Sequence, residues 1–276
     1  MIKINIKWPT TADWVSWRKD CDQDTQIIVK AAKNGEEIKV KDTYKPKAIK
    51  QKYYFGTDGL FNGKCAYCET YLRDFQHGDI EHYRPKKGVT DEDDQAVQVD
   101  YGKGLEDHKG YYWLSYSEYN LLPSCTRCNQ ASVLKDEKIG KHNRFPVIGQ
   151  YAIDEQGLSK EDPLIIHPMM EDPEDHLEVI TESEDEDLIG TIISKNGSPK
   201  GTMTISIFGL NLRDQLLERR RGKVMEIKAL LAKIINGNDQ QRTSAKKKLV
   251  EMKKGKGEYA LVVRATLNHL ESFLRI

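Results

Sequence analysis

Apolar positions near the start of the chain follow helical spacing. Trp14, Trp17 and Cys21 recur at intervals of three and four residues, which predicts a helix that buries all three. A second helical stretch over 25–33 ends at Asn34-Gly35, a typical helix stop. Residues 45–55 are basic and aromatic and predict a further helix.

The last third of the chain is also helical in pattern. An apolar stripe at helical spacing ends at Asn236-Gly237, and 241–254 and 258–275 predict two more helices. Residues 202–208 alternate as in a strand, yet the preceding Ser198-Pro199 is a helix-start signal, so both structures stay open there. The stripe comprises Leu212, Leu216, Val224, Ile227, Leu230, Leu231 and Ile234.

The middle of the chain has a different pattern. Residues 78–86 predict a short strand stopped by Pro85, 87–110 predict a long polar loop, and the apolar, aromatic 111–125 leads to a second cysteine pair. A helix is expected after Cys125. We therefore expect an α+β protein with a small mixed core in a mostly helical chain.

Composition narrows the class of protein. The 276 residues are 38% hydrophobic and 31% charged, and no apolar run approaches the ~20 residues that span a bilayer. The first residues have no apolar core typical of a signal peptide. We therefore expect a soluble, cytoplasmic protein without a membrane partner.

The formal net charge of +0 conceals a strong asymmetry. Residues 1–150 have a net charge of +2, residues 151–190 of −13 and residues 191–276 of +11. Such a division indicates a charged partner or pairing between segments, although solvated faces explain most single charge runs. Nucleic-acid binding is therefore not excluded by the neutral total.

The cysteines indicate a metal site. Cys65/Cys68 and Cys125/Cys128 are two C-x-x-C pairs, whereas Cys21 is expected in the core. Four thiolates in two pairs are typical of a structural zinc site, and a thioredoxin-like redox site would leave one pair without a role. The 56 residues between the pairs indicate that a sizeable segment of the fold lies between the two halves of the site.

Three residues near the cysteine pairs suggest hydrolytic chemistry. Glu81 and His82 lie on the predicted strand, and Asn129 follows the last cysteine. Carboxylate and amide oxygens suit Mg²⁺ or Mn²⁺, and an imidazole beside such a metal can deprotonate a water. Singly these signals are weak, because a strand edge or a helix cap explains each. Together they predict phosphodiester hydrolysis.

The chain resembles the HNH endonucleases in three motifs, K-C-A-Y-C-E, I-E-H-Y-R-P-K and Y-N-L-L-P-S-C-T-R-C-N. The resemblance implies a ββα-metal fold held together by a zinc site. The resemblance implies that Glu81 and Asn129 bind the catalytic metal and that His82 is the general base. It also implies that Asn120 pins the loop that orients the histidine. The sequence departs from the commonest family pattern at two positions: Glu81 replaces the Asp before the histidine, and Asn129 replaces the final His.

A wider pattern resembles the PtuB-type nucleases of Septu and retron-associated anti-phage systems over about residues 45–225, through NRFP, PLIIHP, EDPEDHL and FGLN. It implies a DNA-cleaving effector with a PtuA-type ATPase partner, and a homodimer is a further association to test. The expected parts are an N-terminal helical region (1–56), the nuclease core (57–150), an acidic connecting segment (151–190) and a C-terminal helical region (191–276).

Substrate contacts are less sharply predicted. Arg84, Lys86 and Lys87 flank the motifs and are expected to meet the DNA backbone, as is Arg73, while ordinary strand-end charge is the alternative. His77 and His142 could touch phosphate or be solvated loop residues. A rival class is a non-catalytic, zinc-stapled subunit that binds nucleic acid or protein.

Overall fold

The computed structural model describes residues 1–72 and 78–274, with the backbone alone described for 271–274. Arg73 and His77 lie outside the described residues. Within these ranges the protein is α+β, with helices at both ends and short antiparallel strand pairs between them. The helices are α1 (Ala12–Lys33), α2 (Lys47–Ile49, continued by a π-helical turn Lys50–Tyr54), α3 (Thr126–Asn129), α4 (Pro199–Ile207), α5 (Asp214–Asn236), α6 (Asp239–Lys253) and α7 (Ala260–Leu274).

The strands are short and pair two by two in the part of the chain that the structure describes. The pair that matters most joins β1 to β4, with Gly78 opposite Cys125 and His82 opposite Leu121. The ten strands are β1 (Gly78–His82), β2 (Gln98–Asp100), β3 (Leu105–Asp107), β4 (Leu121–Cys125), β5 (Ser132–Leu134), β6 (Glu137–Ile139), β7 (Val147–Gly149), β8 (Glu161–Pro163), β9 (Leu177–Val179) and β10 (Ile192–Ser194).

Helix α1 buries Trp14, Trp17 and Cys21 as predicted, but it is one continuous helix rather than two stretches. It stops at Asn34, and Gly35 follows with a φ of 72°, a backbone conformation that glycine adopts without strain. The helix therefore ends where the sequence predicts.

The stretch 202–208, for which strand and helix were both open, belongs almost entirely to helix α4 (Pro199–Ile207). Pro199 occupies the first turn, where its missing N–H costs nothing, and the Ser198 side chain accepts a hydrogen bond from the Gly201 N–H. Local capping thus outweighs the strand-like alternation. The predicted helix after Cys125 is a single turn, α3, followed by the β5–β6 hairpin.

One hydrophobic core contains residues from the N-terminal helix, the cysteine region and the C-terminal helices. Tyr67, between the first two cysteines, stacks on Phe208 at the end of α4 with ring centroids 3.9 Å apart. The cysteine region is thereby packed directly against the C-terminal part of the chain.

The acidic connecting segment lies against the basic C-terminal helices. Glu182 approaches Lys228 at 3.4 Å, Asp187 approaches Arg221 at 3.1 Å, and Glu174 approaches Arg264 at 2.6 Å. The Glu182 and Asp187 side chains are at least half exposed, so these two pairs contribute little to stability, whereas Glu174 is partly buried. Part of the charge asymmetry of the sequence is thus balanced by ion pairs within the chain. No helix in the described ranges is long and apolar enough to span a membrane.

Candidate metal centre and active site

The four cysteines predicted to form a metal site come together at the end of the β1–β4 pair. Cys125 ends β4 and Cys128 lies in α3, while the turn containing Cys65 and Cys68 is attached to β4 by the Ala66 N–H, which donates to Pro123 O at 2.8 Å. All four Sγ atoms lie within 4.8 Å of one another and all four residues are buried. The described cysteines form no disulfide.

The sulfur spacing suits a tetrahedral metal. The Sγ atoms of Cys68 and Cys125 are 3.7 Å apart. A tetrahedron with Zn–S bonds of ~2.3 Å has edges of about 3.8 Å. Four buried cysteines at this spacing could therefore bind a metal ion such as zinc, as the sequence predicts.

A positive charge lies beside these sulfurs. Arg213 Nη2 donates to Cys128 Sγ at 3.3 Å and to Phe208 O at 2.8 Å. Burial alone would lower the pKa of Arg213, but the nearby Cys128, Cys68 and Cys125 sulfurs raise it above its ordinary value. This arginine offsets part of the negative charge that four thiolates would carry.

Glu81 is the penultimate residue of β1 and is 7% exposed. Its Oε1 accepts a hydrogen bond from the Lys141 ammonium at 2.7 Å. Lys141 is fully buried and also donates to the carbonyl oxygens of His82, at 2.8 Å, and His142, at 3.3 Å. All three ammonium protons are thus used inside the protein, and Lys141 holds the carboxylate in one orientation.

The pKa values of this pair follow from its burial. Burial raises the pKa of Glu81 and lowers that of Lys141, and in each case the opposite charge of the partner counteracts the shift. Sequence reasoning missed Lys141. Its only sequence signal was its position two residues before the N-R-F-P motif, and nothing in the sequence indicates that Glu81 is its partner.

His82 is 6% exposed and its ring is fixed by a backbone carbonyl. Its Nε2 lies 2.9 Å from Ser115 O, and because a carbonyl can only accept, Nε2 carries the proton. Nδ1 has no hydrogen-bond partner among the described residues and is left as the basic nitrogen. Burial, followed by the charge of Lys86, lowers the pKa of His82 to about 3, so the ring is neutral at pH 7.

Asn120 fixes the loop that supplies this carbonyl. Its Oδ1 accepts from the Arg84 N–H at 2.7 Å, and its Nδ2 donates to Arg84 O at 3.0 Å and Leu114 O at 3.1 Å. The side chain therefore bridges the segment after β1 and the residue preceding Ser115. The sequence contained no signal for Ser115 itself.

Asn129, the last residue of α3, is half-buried, and α3 packs against β1. Its carbonyl accepts the His142 N–H at 2.7 Å, while Cys128 O accepts the Lys141 N–H at 2.8 Å. The segment that supplies Lys141 to Glu81 is thus bonded to α3 as well. His142 is exposed beside this site.

The donor set fits a hard divalent cation with few protein ligands. Lys141 occupies Glu81 Oε1, but no donor among the described residues bonds Oε2, and the Asn129 amide is partly exposed. Mg²⁺ typically takes one or two protein ligands and keeps several waters. Glu81 Oε2 and the Asn129 amide oxygen are ligand atoms of that kind.

The three predicted substrate contacts have different surroundings. Arg84 Nε donates to Glu161 at 3.0 Å, so its charge is already paired. Lys86 donates to Tyr44 OH at 2.8 Å and burial lowers its pKa to about 8. Lys87 is exposed and has no charged partner in the described part of the chain. Tyr44, which sequence reasoning also missed, packs edge-on against His82 with centroids 4.6 Å apart.

The fold and the site together define an α+β protein with a buried four-cysteine cluster that could bind a metal ion. The chain is similar to two curated proteins of Bacillus mycoides (strain KBAB4). It is 35% identical to Septu protein PtuB over 182 residues, which are 64% of this chain and 52% of the relative. It is 36% identical to Septu protein PtuA over 163 residues, which are 58% of this chain and 19% of that relative.

The chain therefore spans about half the length of the PtuB relative and a fifth of the PtuA relative. The similarity supports a relationship to Septu-type proteins. No family model and no solved structure matches the chain.

Proposed function

We propose that the protein is a metal-dependent endonuclease of the HNH kind that hydrolyses phosphodiester bonds in DNA. The observation that carries this proposal is the arrangement of β1, β4 and α3. Glu81 and His82 occupy one strand, its partner strand runs straight into the helix that ends at Asn129, and the four cysteines lie where these elements meet. This is the ββα order expected of the family.

His82 is the proposed general base. Ser115 O holds the proton on Nε2, so Nδ1 is free to accept a proton from an attacking water. A pKa of about 3 keeps the imidazole neutral and able to accept that proton at pH 7, although it also makes the ring a weaker base. Asn120 and Tyr44 keep the ring in place without taking part in the reaction.

Glu81 and Asn129 would hold the catalytic Mg²⁺ or Mn²⁺. The bound ion supplies Lewis-acid stabilisation of the charge that develops on the phosphate and on the leaving O3′. Lys141 orients Glu81 through Oε1 and leaves Oε2 for the ion. The expected products carry 5′-phosphate and 3′-hydroxyl ends.

Lys86 and Lys87 are the proposed contacts to the DNA backbone. Both lie four to five residues after the end of β1, and Lys87 is exposed with no charged partner among the described residues. Arg84 is a weaker candidate because Glu161 already pairs with it. Phosphate contacts of this kind position a nucleic acid without reading its sequence.

We further propose that the protein is an effector in a Septu-type anti-phage defence system in the cytoplasm, with a PtuA-type ATPase as its partner. The similarity to Septu proteins PtuB and PtuA supports this role. Co-expression with the adjacent gene product tests it, and we expect the two proteins to co-purify. Failure of a neighbouring ATPase to bind would contradict the role in that system but not the nuclease activity.

A non-catalytic subunit is the second candidate, because Glu81 and His82 are each less than a tenth exposed. A plasmid-nicking assay on the zinc-loaded protein with Mg²⁺, Mn²⁺ or neither separates the two. The nuclease proposal predicts nicked circles only with added divalent metal. Plasmid binding without nicking under all three conditions would favour the non-catalytic subunit.

A further inference from the structure

A cavity of about 300 Å³ is lined by both polar and apolar side chains. Its lining includes Thr70, Arg127, the first turn of α5 from Arg213, Arg219 and Tyr259. It therefore joins the first cysteine turn, α3 and the C-terminal helices. Such a volume is at the small end of ligand pockets, which suits one or two phosphate groups with their waters.

The charge around this cavity is positive. Three arginines line it, and the acid among the lining residues, Asp214, is paired with the Lys135 ammonium at 2.6 Å. Arg213 is committed to Cys128 Sγ and two carbonyl oxygens. Arg127 and Arg219 are exposed and form no ion pair with any described residue, so the cysteine cluster alone does not explain them.

A buried hydroxyl group at the cavity also lacks a proper partner. Tyr259 is 3% exposed, and its hydroxyl forms no hydrogen bond of normal geometry with a described residue, although Thr70 and Arg219 lie beside it. Tyr259 also has a φ of 56°, an unfavourable conformation for a residue with a side chain. Buried polar groups are rarely left unpaired, so this hydroxyl can still form a hydrogen bond to a phosphate oxygen.

The start of α5 adds donors to the same cavity. Helix α5 has 23 residues, and Arg213 at its N-cap makes no side-chain cap hydrogen bond. The backbone N–H groups of Asp214 and Gln215 bond to no described acceptor. Unpaired N–H groups at the start of a long helix favour an anion.

We propose that this cavity is a phosphate-binding site. Arg127 and Arg219 would each donate charge-assisted hydrogen bonds to the phosphate oxygens. The Tyr259 hydroxyl and the backbone N–H groups at the start of α5 are the other donors. The phosphate belongs to a nucleic-acid strand or to a free nucleotide. Arg127 lies two residues before Asn129 in α3. If the phosphate belongs to a nucleic acid, the inference rests on the proposed nuclease function. Binding of a free phosphate does not, because it requires no cleavage.

The test compares two double variants of the zinc-loaded full chain without added Mg²⁺ or Mn²⁺. Arg127→Gln/Arg219→Gln removes the two arginines that form no ion pair with a described residue, and Lys246→Gln/Lys247→Gln removes the same charge from exposed positions on α6. Inorganic phosphate and ATP are titrated calorimetrically, and a fluorescent DNA duplex is titrated by anisotropy. Equal zinc content and circular dichroism verify that both variants fold.

We expect the arginine variant to bind at least one of these probes about tenfold more weakly than the lysine variant. A loss with the duplex alone identifies a nucleic-acid phosphate, and a loss with ATP or phosphate identifies a free one. Tyr259→Phe should weaken the same probe by a smaller factor. Equal binding of all three probes by the arginine and lysine variants would overturn the proposal, whether or not the protein cleaves DNA.

Discussion

Replacing Lys141 by methionine removes the ammonium that holds Glu81. Methionine fills a similar volume, so the change leaves a carboxylate that is 7% exposed without its cation. It also removes the donors to the carbonyl oxygens of His82 and His142. The variant therefore measures how strongly this part of the site depends on one internal charge.

The expected loss is large because the pair is buried. Removing one partner of a buried ion pair typically costs about 3–5 kcal/mol, since the other charge stays desolvated. In a chain of this length that corresponds to a fall in Tm on the order of 10 °C. Glu81→Gln alone should also destabilise, whereas Glu81→Gln/Lys141→Met should lose about 1–3 kcal/mol less than the sum of the single losses.

The assay is urea unfolding at fixed free zinc, followed by circular dichroism. Lys138→Met is the matched control, because Lys138 is an exposed residue of β6. The shortest distance between its ammonium and the Asp94 carboxylate is 3.5 Å. We expect this control to lie within about 0.5 kcal/mol of wild type. Additive losses in the double variant, or a Lys141→Met protein as stable as the control, would refute the pairing with Glu81.

Three further predictions concern the metal, pH and charge. Cys128→Ser should lose bound zinc and cooperative unfolding, while Cys21→Ser, buried away from the cluster, should keep one zinc by metal analysis. The buried neutral His167 has its pKa lowered to about 4 by burial. Because the unfolded imidazole binds a proton near pH 6.5, stability should fall by up to about 3 kcal/mol from pH 6.5 to 4. In His167→Gln, denaturant melts should show a shallower fall, and an unchanged slope would contradict the assignment. Deleting 182–187 removes the ion pairs to Lys228 and Arg221. The deletion should raise basal plasmid nicking or weaken the complex with the ATPase. If both stay unchanged, the division of charge between the segments has no regulatory role.

The cysteine cluster could be predicted from sequence because its chemistry lies in residue type and spacing. Cys65, Cys68, Cys125 and Cys128 need no knowledge of the fold to be assigned to one site. Strand β1 was readable as well, although it ends at His82 and not at the predicted stop, Pro85. Helix α4 was ambiguous because period-two alternation and a Ser-Pro start signal occurred together, and only the cap decided between them.

The surroundings of the candidate site could not be predicted in the same way. Lys141 meets Glu81 from 60 residues away, and Ser115 meets His82 from 33 residues away through a backbone atom that has no sequence signature. Tyr44 reaches His82 from the N-terminal region, which carries little of the family resemblance. Long-range packing, rather than local pattern, brings these groups together.

The central claim is that His82 is the base of a metal-dependent nuclease. The most direct measurement compares the rate of Mg²⁺-dependent plasmid nicking by wild type and His82→Ala, with zinc content determined for both. General-base catalysis contributes about 10²–10⁴-fold, so we predict a rate at least about 100-fold lower in the variant at equal zinc. A His82→Ala protein that nicks plasmid at the wild-type rate would contradict the claim.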